Sequence, residues 1–359
     1  MNKRLKISVP LMALLLTSCG TKHYDPKDYF LELPWKDDFR ILQLNDIHIG
    51  LKDDQELQFE FLDLTINSEQ AKPDLIVING DLFTFGNRAT AKRTFKWLDS
   101  HEIPWTVTWG NHDEQCTYSI DWVTGYLNDL NEKRENSSSS AKPESYCVFK
   151  DLQDDDIMGN ANFAINLMKD GKVKEQVIIM DSNRYNFGDY QGENQDYEPY
   201  TYYDAFHEEQ VDWYKDIVNY TTEKNDGTPV PSVSFFHIPL PEFQTAYDLF
   251  QSGSSEVEEI VKQNPNTKEG IACPKINTGM FDAMINGHST NGVFVAHDHK
   301  NNWALKYKGI TLSFGVNSSD RVYLSKDLLG GQVVEIHDDG SFDIEQIFQN
   351  YDDYKELND

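Results

Sequence analysis

Five apolar runs in this chain each stop at residues of one chemical kind, and no other feature constrains its fold so strongly. Val293-Phe294-Val295-Ala296 leads into His297-Asp298-His299, and Phe39 to Leu44 leads into Asn45-Asp46-Ile47-His48. Asp74 to Asn79 closes on Gly80-Asp81, Ile103 to Trp109 on Gly110-Asn111-His112-Asp113, and Pro231 to Phe236 on His237. Runs of this length and composition read as buried strands. In extended backbone, residues spaced i, i+2 point to one side. His297 and His299 are therefore expected to face one point, as are Asp46 and His48. A lone histidine after a strand is more often a hydrogen-bonded core or rim residue. Asp46, His48, Asp81, Asn111, His112, His237, His297 and His299 all standing in the same kind of place is harder to assign to chance.

Between the first three runs, Asp53 to Asn67 and Arg88 to Ser100 have helical spacing. Strand, helix, strand, helix, strand at these intervals is a βαβαβ pattern. It gives a largely parallel sheet whose ligands gather at the carboxyl ends of its strands. Asn131 to Ser145 is polar and serine-rich and reads as a surface loop. Ala161 to Leu167 and Val177 to Met180 flank Lys169-Asp170-Gly171-Lys172, a hairpin signal. Ala205 to Val218 reads as an amphipathic helix and Gln251 to Glu269 as a polar insert. Short β-type runs follow at Trp303 to Tyr307, Thr311 to Phe314, Arg321 to Leu324 and Gln332 to Ile336. Asn186 to Asp204 is acidic and tyrosine-rich; a solvated loop packed by its own rings is the expectation, a substrate-contacting rim the alternative.

Carboxylates, imidazoles and one carboxamide make a mixed oxygen and nitrogen donor set. It suits Zn, Fe or Mn and is too nitrogen-rich for Ca. Asp46, His48, Asp81, Asn111, His237, His297 and His299 outnumber the four ligands of one zinc ion, so two ions sharing a bridging carboxylate fit better. Lys and Arg total 32 against 60 Asp and Glu, a net charge of −28. A chain so acidic repels polyanions, and no basic run after the first few residues offers a nucleic-acid footprint. No nucleic-acid partner is expected, and a nuclease is the least favoured enzyme.

In order, Asp46-x-His48, Gly80-Asp81, Gly110-Asn111-His112-Asp113, His237 and His297-x-His299 resemble the blocks of the calcineurin-like metallophosphoesterases, over residues 39 to 320. Phe235 to Glu242 and Gly110 to Glu114 look most like the purple-acid-phosphatase-related proteins that lack the tyrosine ligand. The resemblance implies a four-layer α/β/β/α sandwich of two mixed β-sheets flanked by helices, with residues 321–359 completing the domain and ending in an acidic tail. It implies Asp46, His48 and His299 on a first metal ion, and Asn111, His237 and His297 on a second. Asp81 would bridge them, and His112 would serve as proton donor or phosphoryl stabiliser. It also implies a small phosphorylated substrate attacked by hydroxide from a water shared by the two ions, Fe, Mn or Zn. Thr84 stands where some relatives have a histidine-orienting aspartate and the purple enzymes a tyrosine ligand, which leaves Asp113 as the candidate to orient His112. Ala296 replaces a glycine common before the final His-x-His. Asp298 is expected to point away from the metals, and His288 to lie at the rim or just behind a ligand.

Two alternatives stand beside a surface phosphoesterase. Gln43 to His48 resembles the first block of secreted 5′-nucleotidases, so a nucleotidase or a cyclic-nucleotide or phosphodiester phosphodiesterase would use the same site. A non-catalytic surface lipoprotein would keep the fold without turnover. Residues 1–19 begin with Lys3, Arg4 and Lys6, continue through apolar Ile7 to Leu16 and close on Leu16-Thr17-Ser18-Cys19, which resembles a bacterial lipobox. The apolar stretch is too short to span a bilayer. Lipidation of Cys19, a polar tether over residues 20–38 and a membrane contact through the lipid alone are expected, at the extracytoplasmic face of a bacterial membrane. Of the remaining cysteines, Cys116 with Cys147 is the favoured pair if a disulfide forms, and free thiols at Cys116, Cys147 and Cys273 are the commoner outcome.

Overall fold

The computed structural model describes residues 24–50, 55–137, 142–152, 156–185 and 203–352. The first half contains β1 (Phe30–Pro34), β2 (Phe39–Leu44), α1 (Gln55–Ile66), β3 (Leu75–Asn79), α2 (Arg88–Ser100), β4 (Trp105–Thr108), α3 (Ile120–Glu135), β5 (Phe163–Lys169) and β6 (Lys172–Ile179). After it come α4 (Glu208–Lys224), β7 (Ser232–Phe235), α5 (Pro241–Gln251), β8 (Val257–Val261), α6 (Met280–Gly287), β9 (Thr290–Val295), β10 (Ala304–Tyr307), β11 (Ile310–Phe314), β12 (Gly330–Ile336) and β13 (Phe342–Phe348). An eight-stranded sheet has the order β1-β5-β6-β7-β9-β11-β10-β8, and a five-stranded sheet the order β13-β12-β2-β3-β4. Both are mixed: β2, β3 and β4 run parallel, as do β6, β7, β9 and β11, while antiparallel strands close the other edges.

Alternation along the strands builds the four layers. In β5, Phe163, Ile165 and Leu167 pack into the core shared with the smaller sheet, while Ala164 joins the core under α4 to α6. In β9, Phe294 faces the smaller sheet, and Val293 and Val295 face those helices. Helices α1 to α3 cover the outside of the smaller sheet through Phe59, Leu62, Phe95, Leu98, Val123 and Leu127. Sheets buried on both faces read as continuous apolar runs, which is why the central strands are visible in the sequence.

Several expectations are corrected. Residues 24–38 are not a tether: β1 pairs parallel with β5, Leu31 and Leu33 are buried, and Tyr29 packs edge-on against Trp213. The expected loop at residues 131–145 begins inside α3, whose buried face mixes Val123, Leu127 and Leu130 with Thr124 and Asn131, diluting its apolar period. The insert at residues 251–269 contains β8, an edge strand showing Glu258 and Glu259 to solvent. Residues 321–324 form bends rather than a strand, and the last strand is β13, paired with β12. The helix expected at residues 205–218 runs instead from Glu208 to Lys224. Cys116, Cys147 and Cys273 are free thiols, with Cys147 buried. The hairpin turns through Asp170 and Gly171 with φ of 53° and 76°, the positive values of a type I′ turn. Residues 1–23, with the expected signal and Cys19, and the tail from residue 353 lie outside the described residues.

Glu175 on β6 is buried, and one of its carboxylate oxygens has no partner among the described residues. Burial pushes its carboxyl up to about 8, outweighing Lys174. A folded-state value above the unfolded one means stability is full below the ordinary glutamate range and is lost as pH rises through 8. Glu175→Gln should therefore match the wild type near pH 5 and exceed it by about 1–3 kcal/mol at pH 8.5, measured by urea unfolding at both values.

Candidate metal centre

The carboxyl ends of β2, β3, β4, β7 and β9 meet where the two sheets face each other. Side chains at that seam stitch them together. Asn79, the last residue of β3, donates from Nδ2 to the carbonyls of Phe236 and Phe294 at 3.1 and 3.0 Å. Gln43 Nε2 donates to the Val295 carbonyl at 3.0 Å. The loops leaving β2 and β3 continue as a zipper: the amides of Asp46, His48 and Ile49 donate to the carbonyls of Gly80, Asp81 and Leu82.

On this frame two triads of ligand atoms form, each within 4.8 Å: Asp46 with His48 and His299, and Asp81 with His237 and His297. Both are buried. The side chains do not converge through strand alternation, as expected for the i, i+2 pairs, because the ligands lie just past the strand ends on left-handed backbone. Asp46, His48, Asp81 and His297 have φ of 53°, 53°, 49° and 72°. Ala296 has no such angle, so the glycine common there in relatives is not required; the turn falls one residue later. Gly80 has φ of 88°, and a Cβ on it would sit 2.4 Å from the His237 ring. A Cβ on Gly110 would sit 2.3 Å from Asp81 Oδ1.

Every ligand except His297 has one polar atom fixed by protein and one aimed into the gap; His297 Nδ1 faces His237 Nε2 at 3.2 Å and its Nε2 has no hydrogen-bond partner among the described residues. Asp46 Oδ2 accepts from the His297 amide at 3.2 Å, and Asp81 Oδ1 from the His112 amide at 2.7 Å. His48 Nδ1 is held by Thr84 Oγ1 at 2.8 Å. His237 Nδ1 faces the Asn79 carbonyl and His299 Nδ1 the Tyr323 carbonyl, each at 3.0 Å. Asn111 Nδ2 donates to the Tyr185 hydroxyl at 2.8 Å. That leaves Asp46 Oδ1, Asp81 Oδ2, His48 Nε2 and Asn111 Oδ1 buried without a hydrogen-bond partner among the described residues. Orphaned buried acceptors are costly unless a ligand satisfies them. Their convergence fits cations. Asp81 Oδ2 is 3.3 Å from His237 Nε2 and 3.8 Å from His48 Nε2, so one oxygen touches both triads.

The charges agree. Burial alone would raise the Asp46 and Asp81 carboxyls, but the imidazoles of His299 and His237 facing them hold both below the usual range. Burial pushes His48 down to about 4 and His297 down to about 3, leaving lone pairs for coordination. Burial opposes charge on His237, yet Asp81 and Asp46 push it up to about 10. Protons there balance carboxylate charge that cations would otherwise neutralise.

The remaining expected residues separate. His112 lies beside His48, ring centroids 5.3 Å apart, with its Nδ1 buried and unpartnered among the described residues. Asp113 does not orient it: its carboxylate accepts from the amides of Phe83 and Gly110 at 2.8 Å each and pins the turn beneath. Thr84 orients His48 instead. Asp298 points away, accepting from the Ala272 amide and Asn301 Nδ2. His288 is neither rim nor support: it is exposed at the C-terminal cap of α6, at the far end of β9 from His297. Three tyrosines that sequence reasoning did not single out flank the ligands. Tyr185 holds Asn111, Tyr203 packs edge-on against His297 at 4.6 Å, and Tyr323 stacks on His299 at 4.3 Å. Of the tyrosine-rich stretch at 186–204, residues 186–202 lie outside the described residues; Tyr203, at its end, is against the ligands.

Fold and donor set together define a candidate dinuclear metal centre in an α/β/β/α sandwich. The family model for calcineurin-like phosphoesterases matches residues 39–301, and the chain belongs to that family, whose members use two metal ions. Among its relatives, a probable inactive purple acid phosphatase 29 of Arabidopsis thaliana is 28% identical over 77% of this chain and 71% of its own length. Phosphatase DCR2 of Saccharomyces cerevisiae is 25% identical over 80% of this chain and 48% of its own length. A solved dimetal phosphatase from Danio rerio aligns over 84% of this chain and 94% of its own, at 12% identity and a TM-score of 0.49.

Removing an outer hydrogen bond to a metal ligand typically weakens binding about 10–100-fold. Thr84→Val should do so for the cation at His48, and Tyr185→Phe for the cation at Asn111. Calorimetric metal titration of the stripped protein should show each variant altering a different binding step; a change in the same step would refute the assignment.

Proposed function

We propose that this protein is a two-metal phosphoesterase that hydrolyses a small phosphate ester. The observation that carries the reading is Asp81 Oδ2, one unpartnered buried oxygen reaching both triads. Asp46, His48 and His299 would hold one cation, Asn111, His237 and His297 the other, with Asp81 between them. Two bound cations supply Lewis acidity toward phosphoryl oxygens and lower the pKa of a shared water. The chain's own groups then act around that chemistry. The Asp46 and Asp81 carboxylates fix the spacing of the two triads through their second oxygens. Asn111 contributes a neutral donor, which limits the negative charge facing an anionic substrate. His112, anchored by its amide to Asp81, has a ring nitrogen free to donate a proton to the leaving oxygen. The chemistry of the donor set leaves Fe, Mn and Zn as the metals to test.

The word inactive in the plant relatives' names favours a second reading, a fold retained without turnover. The seven ligand residues are all present here, which supports activity. Asp81→Asn should lower metal-dependent hydrolysis of a chromogenic phosphate ester by at least about 10²-fold while the circular dichroism spectrum and melting curve stay unchanged. Undiminished turnover in that variant would sink the enzyme reading.

We also propose that the protein is lipid-anchored through Cys19 at the extracytoplasmic face of a bacterial membrane, without a nucleic-acid partner. The basic, apolar and Leu16 to Cys19 order of its first residues supports this, as does the charge of −28. Among the described residues no helix is long and apolar enough to cross a membrane. Mass spectrometry of the protein from its native membranes should find a mature chain starting at acylated Cys19; an unmodified start elsewhere would refute the anchor.

A further inference from the structure

Resting on the phosphoesterase reading, we infer that Tyr323 and Phe85 form an aromatic platform beside the first triad and that the ester substrate carries a planar aromatic alcohol part. Among the described residues these are the most exposed large apolar side chains, 54% for Tyr323 and 61% for Phe85. Neither position is incidental to the site. The Tyr323 carbonyl holds His299 Nδ1, and its ring lies parallel to His299, tilted by 11° with centroids 4.3 Å apart. Phe85 directly follows Thr84, whose hydroxyl holds His48. The His48 and His299 rings are themselves 5.3 Å apart, so Tyr323 lies against this triad, and Phe85 stands in the chain next to the residue that holds its other imidazole.

Phe85 also has φ of 57°. A bulky aromatic on left-handed backbone is a strained placement, and at this exposure little burial offsets it. Such strain is characteristic of binding sites. The Tyr323 ring is held rather than loose: it stacks on His299, and Lys300 Nζ stands 5.4 Å from its centroid. A pre-positioned ring loses little freedom when a flat group stacks on it. Stacking of a base or aryl group on an aromatic side chain is sequence-tolerant and worth roughly a five- to tenfold gain in binding. A saturated group of equal size gains less, because the ring faces match only another flat partner.

The test separates recognition from turnover by pairing ligands with the same carbon skeleton, one ring flat and aromatic and the other saturated and bulkier. Binding of benzylphosphonate and cyclohexylmethylphosphonate to the metal-reconstituted full chain is measured by calorimetry. The wild type should bind the benzyl compound about five- to tenfold more tightly. Tyr323→Leu and Phe85→Leu should each bring the ratio toward one, and Tyr323→Phe should keep it, with metal content checked in every variant. Equal binding by the wild type, or an unchanged ratio in Tyr323→Leu, overturns the platform. Hydrolysis of adenosine 5′-monophosphate against ribose 5-phosphate, which share a leaving oxygen, decides the source. Preference for the nucleotide assigns a nucleoside, and preference confined to the benzyl pair assigns a small aryl group. If the benzyl preference holds in binding but no ester is hydrolysed, the platform stands and the phosphoesterase reading falls.

Discussion

The side-chain amide of Asn79 is the contact on which the rest of this site depends. It sits at the last residue of a central strand of one sheet and donates to two carbonyls of the other, those of Phe236 and Phe294. The backbone carbonyl of the same residue receives the His237 ring. One residue therefore fixes the register between sheets, the height of the His237 loop and the tautomer of a ligand. Sheets packed only through apolar side chains can slide by fractions of an ångström at little cost. Buried polar groups cannot, because every lost hydrogen bond leaves a desolvated orphan worth about 1–3 kcal/mol. Gln43, bonded to Val295, Asn45 and Gln332, does the same one strand away. Metal chemistry needs donors placed to a few tenths of an ångström, and this polar seam directly behind the ligands supplies that rigidity.

The ligand loops show how residue type and backbone agree. After glycine, the residues that adopt left-handed backbone most readily are Asn, Asp and His. Those are also the residue types that bind hard and borderline cations. Asp46, His48, Asp81 and His297 satisfy both requirements at once, so each strand can turn sharply at its end and present a donor in the same step. The two carboxylates then divide their oxygens: one accepts an amide from the neighbouring loop and one stays in the gap. A carboxylate tied in this way cannot swing between ions, which keeps Asp81 Oδ2 between the two triads.

How much of this was legible follows from what the apolar pattern can encode. Strands buried on both faces, such as β2, β3 and β9, stand out as runs dominated by apolar residues, and the ligands at their ends stand out with them. Strand β8 and strand β13 have exposed, charged residues along their length, so nothing distinguishes them from loop. Helix α5 buries only Phe243 and Ala246, too few for a visible period. The i, i+2 argument brought Asp46 and His48 into one triad through the wrong geometry and put His297 and His299 at one point although they fall in different triads, because turns and strands share that spacing and sequence alone does not report φ. Tyr185 and Tyr323 were invisible for another reason, and Tyr203 was legible only as part of a tyrosine-rich stretch with a rim as its alternative reading. Their roles arise from loops that meet only after folding, and a tyrosine in a polar stretch carries no local sign of what it will touch.

For an acidic chain, the proposed phosphate-ester substrate raises an electrostatic difficulty that the arrangement of the candidate metal centre would resolve. The net charge of −28 is spread over the surface, and at physiological salt its field decays over about 8 Å. An extended polyanion would meet many surface carboxylates within that range. A small phosphate ester would meet only the seam. There the two ligand carboxylates are buried, each with one oxygen turned onto a backbone amide, and the third non-histidine donor, Asn111, is neutral. With cations bound, the local field at the gap becomes positive even though the molecule as a whole is strongly negative. On the phosphoesterase reading, global charge would filter substrates by size, while the local donor set would govern whether one binds.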